Sequence, residues 1–126
     1  MTRSVVATFD DVVRIGTQWP DVSVSTSYAT PALKVRGKGF CRLWGERDRS
    51  KSDVEGEVLV VFCELDEKEF LLAESDGSIF TAPHYDRYGA VLILLDNVDE
   101  ELLTSLLLES YLLKAPASIR RQFPDA

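Results

Sequence analysis

One histidine, two cysteines and one methionine among 126 residues leave this chain little with which to hold a metal. A zinc site asks for three or four nitrogen, sulfur or carboxylate ligands in register. His84, Cys41 and Cys63 stand apart, and no CxxC pair occurs. The cysteines sit in strand-like runs and read as buried, reduced thiols. Long apolar runs are missing too. The longest, Ala90–Leu95, falls far short of the roughly 20 residues of a membrane-spanning helix. The first residues, MTRSVVATFDD, lack an apolar leader and a small-residue cleavage site, and read as a mature cytosolic start. No GxGxxG or Walker loop marks a phosphate cradle, and no GxSxG elbow marks a serine hydrolase. Neighbouring carboxylates such as Asp66/Glu67 and Asp99/Glu100/Glu101 fall where helix starts want them. The expectation is a protein without cofactor, metal or membrane partner, and not an enzyme.

What remains is an ordinary globular mixture, 45% hydrophobic and 28% charged, long enough to bury about two-thirds of its surface as one domain over residues 1–126. Its charge is uneven. The net charge is −7, yet Lys34–Lys51 holds seven basic residues (Lys34, Arg36, Lys38, Arg42, Arg47, Arg49, Lys51) and two acidic ones (Glu46, Asp48). From Asp53 to Glu109 two basic residues face fifteen acidic ones. A basic stretch in an acidic chain is either a solvated hairpin or an anion-binding surface.

The patterning predicts the elements. Thr8 caps a helix from Phe9, with Phe9, Val12, Val13 and Gly16 along one face. Trp19-Pro20 ends that segment. Val22–Ser27 alternates as a strand with one wet face, and Ala32–Arg36 and Phe40–Trp44 flank a glycine turn. Gly45–Gly56 is a polar loop. Val58–Phe62 is a buried strand, Asp66 caps a helix over Glu67–Ser75 with Phe70, Leu71, Leu72 and Ala73 as its apolar residues, and Ser78–Thr81 and Ala90–Leu95 are strands. Asp99 caps a final leucine-rich helix that Pro116 breaks. Clustered strands joined by hairpins argue for an α+β, two-layer domain, its sheet mostly antiparallel and its helices on one face. The second sheet face then needs water, the last helix or a partner.

Two hairpin registers are open. A three-residue turn, Gly37–Gly39, gathers Lys34, Arg36, Phe40, Arg42 and Trp44 into a basic, aromatic surface suited to phosphates and stacked bases. A two-residue turn sets Val35 against Phe40 and makes Phe40 and Trp44 core. A second cluster, Thr30, Pro31, His84 and Tyr85, reads as two turns locked by a histidine hydrogen bond, or as a small-molecule site around His84 and Thr30. Leu108 and Tyr111 extend the apolar face of the last helix beyond one sheet surface, which suits a homodimer seam or a protein partner.

Four segments carry a resemblance. They are Ser27-Tyr28-Ala29-Thr30-Pro31-Ala32-Leu33-Lys34-Val35-Arg36-Gly37-Lys38, then Phe40-Cys41-Arg42-Leu43-Trp44, then Thr81-Ala82-Pro83-His84-Tyr85, and Leu113-Lys114-Ala115-Pro116. In this order and spacing the chain resembles the MmcQ/YjbR family of small bacterial proteins. The resemblance implies a secretion-chaperone-like or CyaY-like α+β fold, and a motif cluster of Tyr28, Thr30, Pro31, Thr81, Pro83, His84 and Tyr85. It also implies the DNA-binding label that members carry by likeness to a double-wing architecture. The chain departs from the family pattern at Tyr88-Gly89-Ala90, where members often have tryptophan. The expected function is a cytosolic, non-enzymatic DNA-binding protein using Lys34, Arg36, Lys38, Arg42, Arg47 and Arg49. The alternatives are a chaperone-like or protein-interaction module, on the open sheet face or the last helix, and the small-molecule site above.

Overall fold

A computed structural model of the chain describes residues 7–27, 30–45, 56–75, 77–82, 85 and 87–123. Helix α1 (Phe9–Gly16) precedes three strands, β1 (Val22–Ser27), β2 (Thr30–Val35) and β3 (Lys38–Leu43). Strand β4 (Val58–Phe62) leads into helix α2 (Leu65–Glu74), and β5 (Ile79–Phe80) and β6 (Ala90–Leu94) follow. Helix α3 (Glu100–Lys114) and the single turn α4 (Ala117–Arg120) close the described chain. The sheet is antiparallel throughout, in the order β1-β2-β3-β4-β6-β5. The α+β architecture read from the sequence is the one observed. Among the described residues no helix is long and apolar enough to cross a membrane.

Local chemistry accounts for the helix ends. The Thr8 N–H donates to Asp11 Oδ2 at 2.9 Å, one arm of a capping box,. Asp99 Oδ1 accepts from the Leu102 N–H at 2.8 Å at the start of α3,. Helix α3 stops at Lys114, ahead of extended Ala115 and Pro116. Helix α2 starts two residues earlier than expected. Glu64 is its N-cap, and Asp66 sits in the first turn.

The main core lies between one sheet face and α1, α3 and α4. Leu33, Val35, Phe40, Leu59, Val61, Val91 and Ile93 meet Val12, Ile15, Leu103, Leu107, Tyr111 and Ile119, all essentially without exposed surface. Helix α1 approaches β2 so closely that a Cβ on Gly16 would lie 2.5 Å from Leu33 Cδ1. The second face carries a smaller cluster, Trp44, Val58, Val60, Ala90 and Leu92 under Tyr85. Tyr85, between β5 and β6, supplies part of that cover. Tyr111 is core, and Leu108 is half-buried against it, so the apolar face expected to overhang the sheet is largely enclosed.

The hairpin settles in neither expected register alone. Its turn is the two-residue Arg36-Gly37, since Val35 pairs with Lys38 and Lys34 with Gly39. The next pair is Leu33 with Cys41, leaving Phe40 as an extra residue in β3. Such a bulge turns two consecutive side chains toward one side, and Phe40 and Cys41 are both buried in the main core. Ser110, fully buried on α3, stitches the bulge down. Its Oγ donates to the Phe40 carbonyl at 2.5 Å and accepts from the Phe62 N–H at 3.1 Å.

Candidate functional site

The bulge reassigns the hairpin's surface. Beyond it, Arg42 and Trp44 alternate onto the second face, away from Phe40, and Trp44 is buried there. Among the described residues no aromatic is interleaved with the cations on an open surface; both Phe40 and Trp44 are core. Lys34 is half-buried beside Ser23 and Ser25 of β1, on the second face, and Lys38 is exposed at the hairpin tip.

Arg36 does not share that strand face. With Gly37 it forms the turn, at φ 49° and 84°, the positive angles of a primed hairpin turn. Its Nε donates to Asp21 Oδ2 at 2.7 Å, and its backbone N–H donates to the Asp21 carbonyl at 3.2 Å. The exposed ion pair is worth roughly 0–1 kcal/mol, but it removes one positive charge from the hairpin. Arg47 and Arg49, with Lys51, lie outside the described residues.

Arg42 is anchored rather than extended. Its Nη2 donates to the Tyr85 hydroxyl at 2.9 Å and its Nη1 to the Leu43 carbonyl at 3.4 Å. Tyr85 is 4% exposed, and its ring lies 6.4 Å from Trp44, while Phe80 meets Trp44 edge-on at 6.3 Å. Of the motif cluster, Tyr28, Pro83 and His84 lie outside the described residues, and with them the expected histidine bond to Thr30. Thr30 is buried at the start of β2 and Pro31 is exposed beside it. Two buried polar atoms of this region, Trp44 Nε1 and Thr81 Oγ1, have no hydrogen-bond partner among the described residues.

Sequence reasoning missed the residue that holds Tyr85 in place. Lys68 on α2 is 3% exposed, and its Nζ donates to the Tyr85 and Tyr88 carbonyls, the latter at 2.9 Å. Lys68 falls at the same helical spacing as Leu71 and Leu72, which are half-buried against the core, whereas Phe70 is 61% exposed. That i, i+3, i+4 spacing was the available signal.

On the helix side an open groove of about 420 Å³ is lined by Cys63, Glu64, Glu67, Glu109, Leu112, Leu113 and Arg120. Burial, with the Glu67 charge adding to it, holds the Glu109 carboxyl above its ordinary range. Burial pushes the Cys63 thiol up to about 11 and the Cys41 thiol up to about 12. The thiolate is the nucleophile, so neither thiol is poised for chemistry at neutral pH. Cys63 is expected to react with a disulfide reagent at pH 8 about 100-fold more slowly than an unperturbed thiol, the rate climbing about tenfold per pH unit toward pH 11. Cys41 is expected to react only on unfolding. Stopped-flow labelling checks both, and a Cys63 rate at pH 8 equal to that of a free thiol would contradict the assignment. Among the described residues, no group of three His, Cys, Asp or Glu side chains is placed to hold a metal ion.

The YjbR family model matches residues 17–113. The uncharacterized proteins Rv2570 of Mycobacterium tuberculosis and Mb2600 of Mycobacterium bovis are each 32% identical over 130 residues, covering 94% of this chain and 96% of their own. The crystal structure of Deinococcus radiodurans protein DR2400, a DUF419 domain, superposes with a TM-score of 0.69 at 21% identity, over 98% of this chain and 92% of that one. At that identity the likeness concerns the fold.

Proposed function

The chain belongs to the YjbR family, and from that premise we propose that it is a cytosolic, non-enzymatic binding protein that takes duplex DNA phosphates on the β2–β3 hairpin. The observation that carries this reading is the state of Lys34 and Lys38. Among the described residues neither side chain makes an ion pair or hydrogen bond, so their charges are available to a ligand. Arg42 lies on the same sheet face as Lys34, and the serines of β1 flank it. Ser23 pairs with Lys34 and Ser25 with Ala32, so hydroxyl donors stand beside the lysine, the composition of a phosphate-contacting surface.

Magnitudes set how strong the binding can be. Two cations, Lys34 and Lys38, released from their counterions give a slope of log affinity on log salt of about −2. The net charge of −7 opposes approach to DNA. Saturable binding to a duplex of about 20 base pairs is therefore expected near 20 mM salt and is expected to be lost near 150 mM. Fluorescence anisotropy reads it. Lys34→Glu with Lys38→Glu should weaken binding at least about tenfold at the lower salt, with an unchanged urea midpoint, since both side chains lie outside the core. Absence of binding near 20 mM, or equal affinity in the double variant, would overturn the reading.

A further inference from the structure

The sheet ends in two edges of opposite character. Strand β5 is two residues long, and shortness is one way natural edges avoid pairing with other chains. Strand β1 presents six residues, VSVSTS. It carries no charge, no proline and no bulge, its register with β2 running unbroken from Val22↔Val35 to Ser27↔Thr30. Among the described residues nothing hydrogen-bonds to its outer side. Every second backbone N–H and C=O of such a strand points outward, and among the described residues none of the usual protective devices is present. At its middle, Val24 is 55% exposed, although its partner across the ladder, Leu33, is fully buried.

We infer that β1 is a homodimerisation edge, pairing antiparallel with β1 of a second copy about a two-fold axis through Val24. The pairing is self-complementary. Val24 meets the partner's Val24, Val22 meets the partner's Thr26, and Ser23 meets the partner's Ser25. The valines cover one another on the helix side, and the serines meet on the opposite face. Although each copy carries a net charge of −7, this strand brings no like charges of its own into the contact, and the nearest acid, Asp21, is already paired with Arg36. A two-fold contact closes on itself, so the product is a dimer with a continuous twelve-stranded sheet, rather than a fibre. One strand pair buries less than the roughly 1,000 Å² of a stable interface. The dimer is therefore weak, with a dissociation constant on the order of 10–100 μM. It sets the two Lys34 residues three strand spacings apart and offset by two residues along the strands, about 16 Å. The inference stands independently of the DNA reading.

Sedimentation velocity of the full chain from about 5 to about 500 μM tests it over the range that a weak interface requires. The expected result is a concentration-dependent monomer–dimer equilibrium that Val24→Lys abolishes, with the variant's circular dichroism and urea midpoint unchanged. In Val24→Cys, mild oxidation should link the dimer covalently where the wild type stays unlinked, because paired strand positions bring the Cα atoms within disulfide reach. A wild type that is monomeric at the highest concentration overturns the inference. So does a dimer that survives Val24→Lys, or one that Val24→Cys fails to link.

Discussion

Replacing Tyr111 by alanine is expected to remove about 3–5 kcal/mol of stability, the range for truncating a large buried aromatic. Tyr111 has no exposed surface. Its ring stands 5.3 Å from Trp19, 5.6 Å from Phe40 and 5.7 Å from Phe123, the last two edge-on. It ties α3 to the bulged strand, to the turn after α1 and to the end of α4. Its hydroxyl donates to the Pro20 carbonyl at 2.7 Å. The cavity dominates over the hydrogen bond, which is worth about 1 kcal/mol. Tyr111→Phe should therefore lose only about that much. Domains of this size have roughly 5–15 kcal/mol to lose, so the alanine variant should be marginal at 37 °C. Urea titration of both variants checks the contrast; an alanine loss under about 1 kcal/mol would mean the site collapses without strain. The pH dependence gives a second readout. Burial, with the Asp21 charge adding to it, raises the Tyr111 phenol above its ordinary range. Stability from a raised pKa is whole below the unfolded value, near 10 for tyrosine, and is lost as pH rises toward and through the folded one. Above about pH 10 the wild type should lose stability more steeply than Tyr111→Phe.

The environment of Tyr111 also marks where the sequence was legible and where it was not. Periodicity and caps sufficed for the order of elements, the antiparallel sheet and the single helical layer, because each depends on neighbours within a turn or a hairpin. The bulge was out of reach. Phe40 can leave the β2–β3 ladder because its carbonyl finds Ser110, 70 positions away, and no local pattern announces that bond. One extra residue then exchanges faces along the strand, which is why Phe40 and Trp44 are both buried but on opposite sides. The candidate site suffered from the same distance. Arg36 reads as an available cation until β1 brings Asp21 beside it, 15 positions earlier. Arg42 likewise reads as free until Tyr85 arrives from 43 positions later. For the Lys34 and Lys38 side chains no such partner arrives among the described residues.

Lys68→Met should destabilise the protein by about 2–3 kcal/mol, and Lys68→Ala by somewhat more, as the stem is lost too. The sign is not obvious in advance, because burying an ammonium costs several kcal/mol and an apolar substitute avoids that penalty. The partners decide it. The ammonium donates to the carbonyls of Tyr85 and Tyr88, and Lys68 has a further interaction besides. Hydrogen bonds to a charged group are worth about 1.5–3 kcal/mol each, enough to offset the desolvation. Each carbonyl also accepts a backbone N–H, from Tyr88 at 3.0 Å and Ala90 at 2.7 Å, so neither is orphaned by the substitution and the loss stays moderate. The larger consequence is positional. Lys68 fixes the turn that presents Tyr85, and Tyr85 covers Trp44 and receives Arg42. If the contacts act as one unit, Lys68→Met and Tyr85→Phe will not add. Their coupling should exceed about 0.5 kcal/mol in a double-mutant cycle, with the double variant losing less than the sum. A Lys68→Met variant within about 0.5 kcal/mol of wild type would show that the backbone bonds alone hold the turn. Additive losses would instead show that Lys68 and Tyr85 stabilise the second face independently.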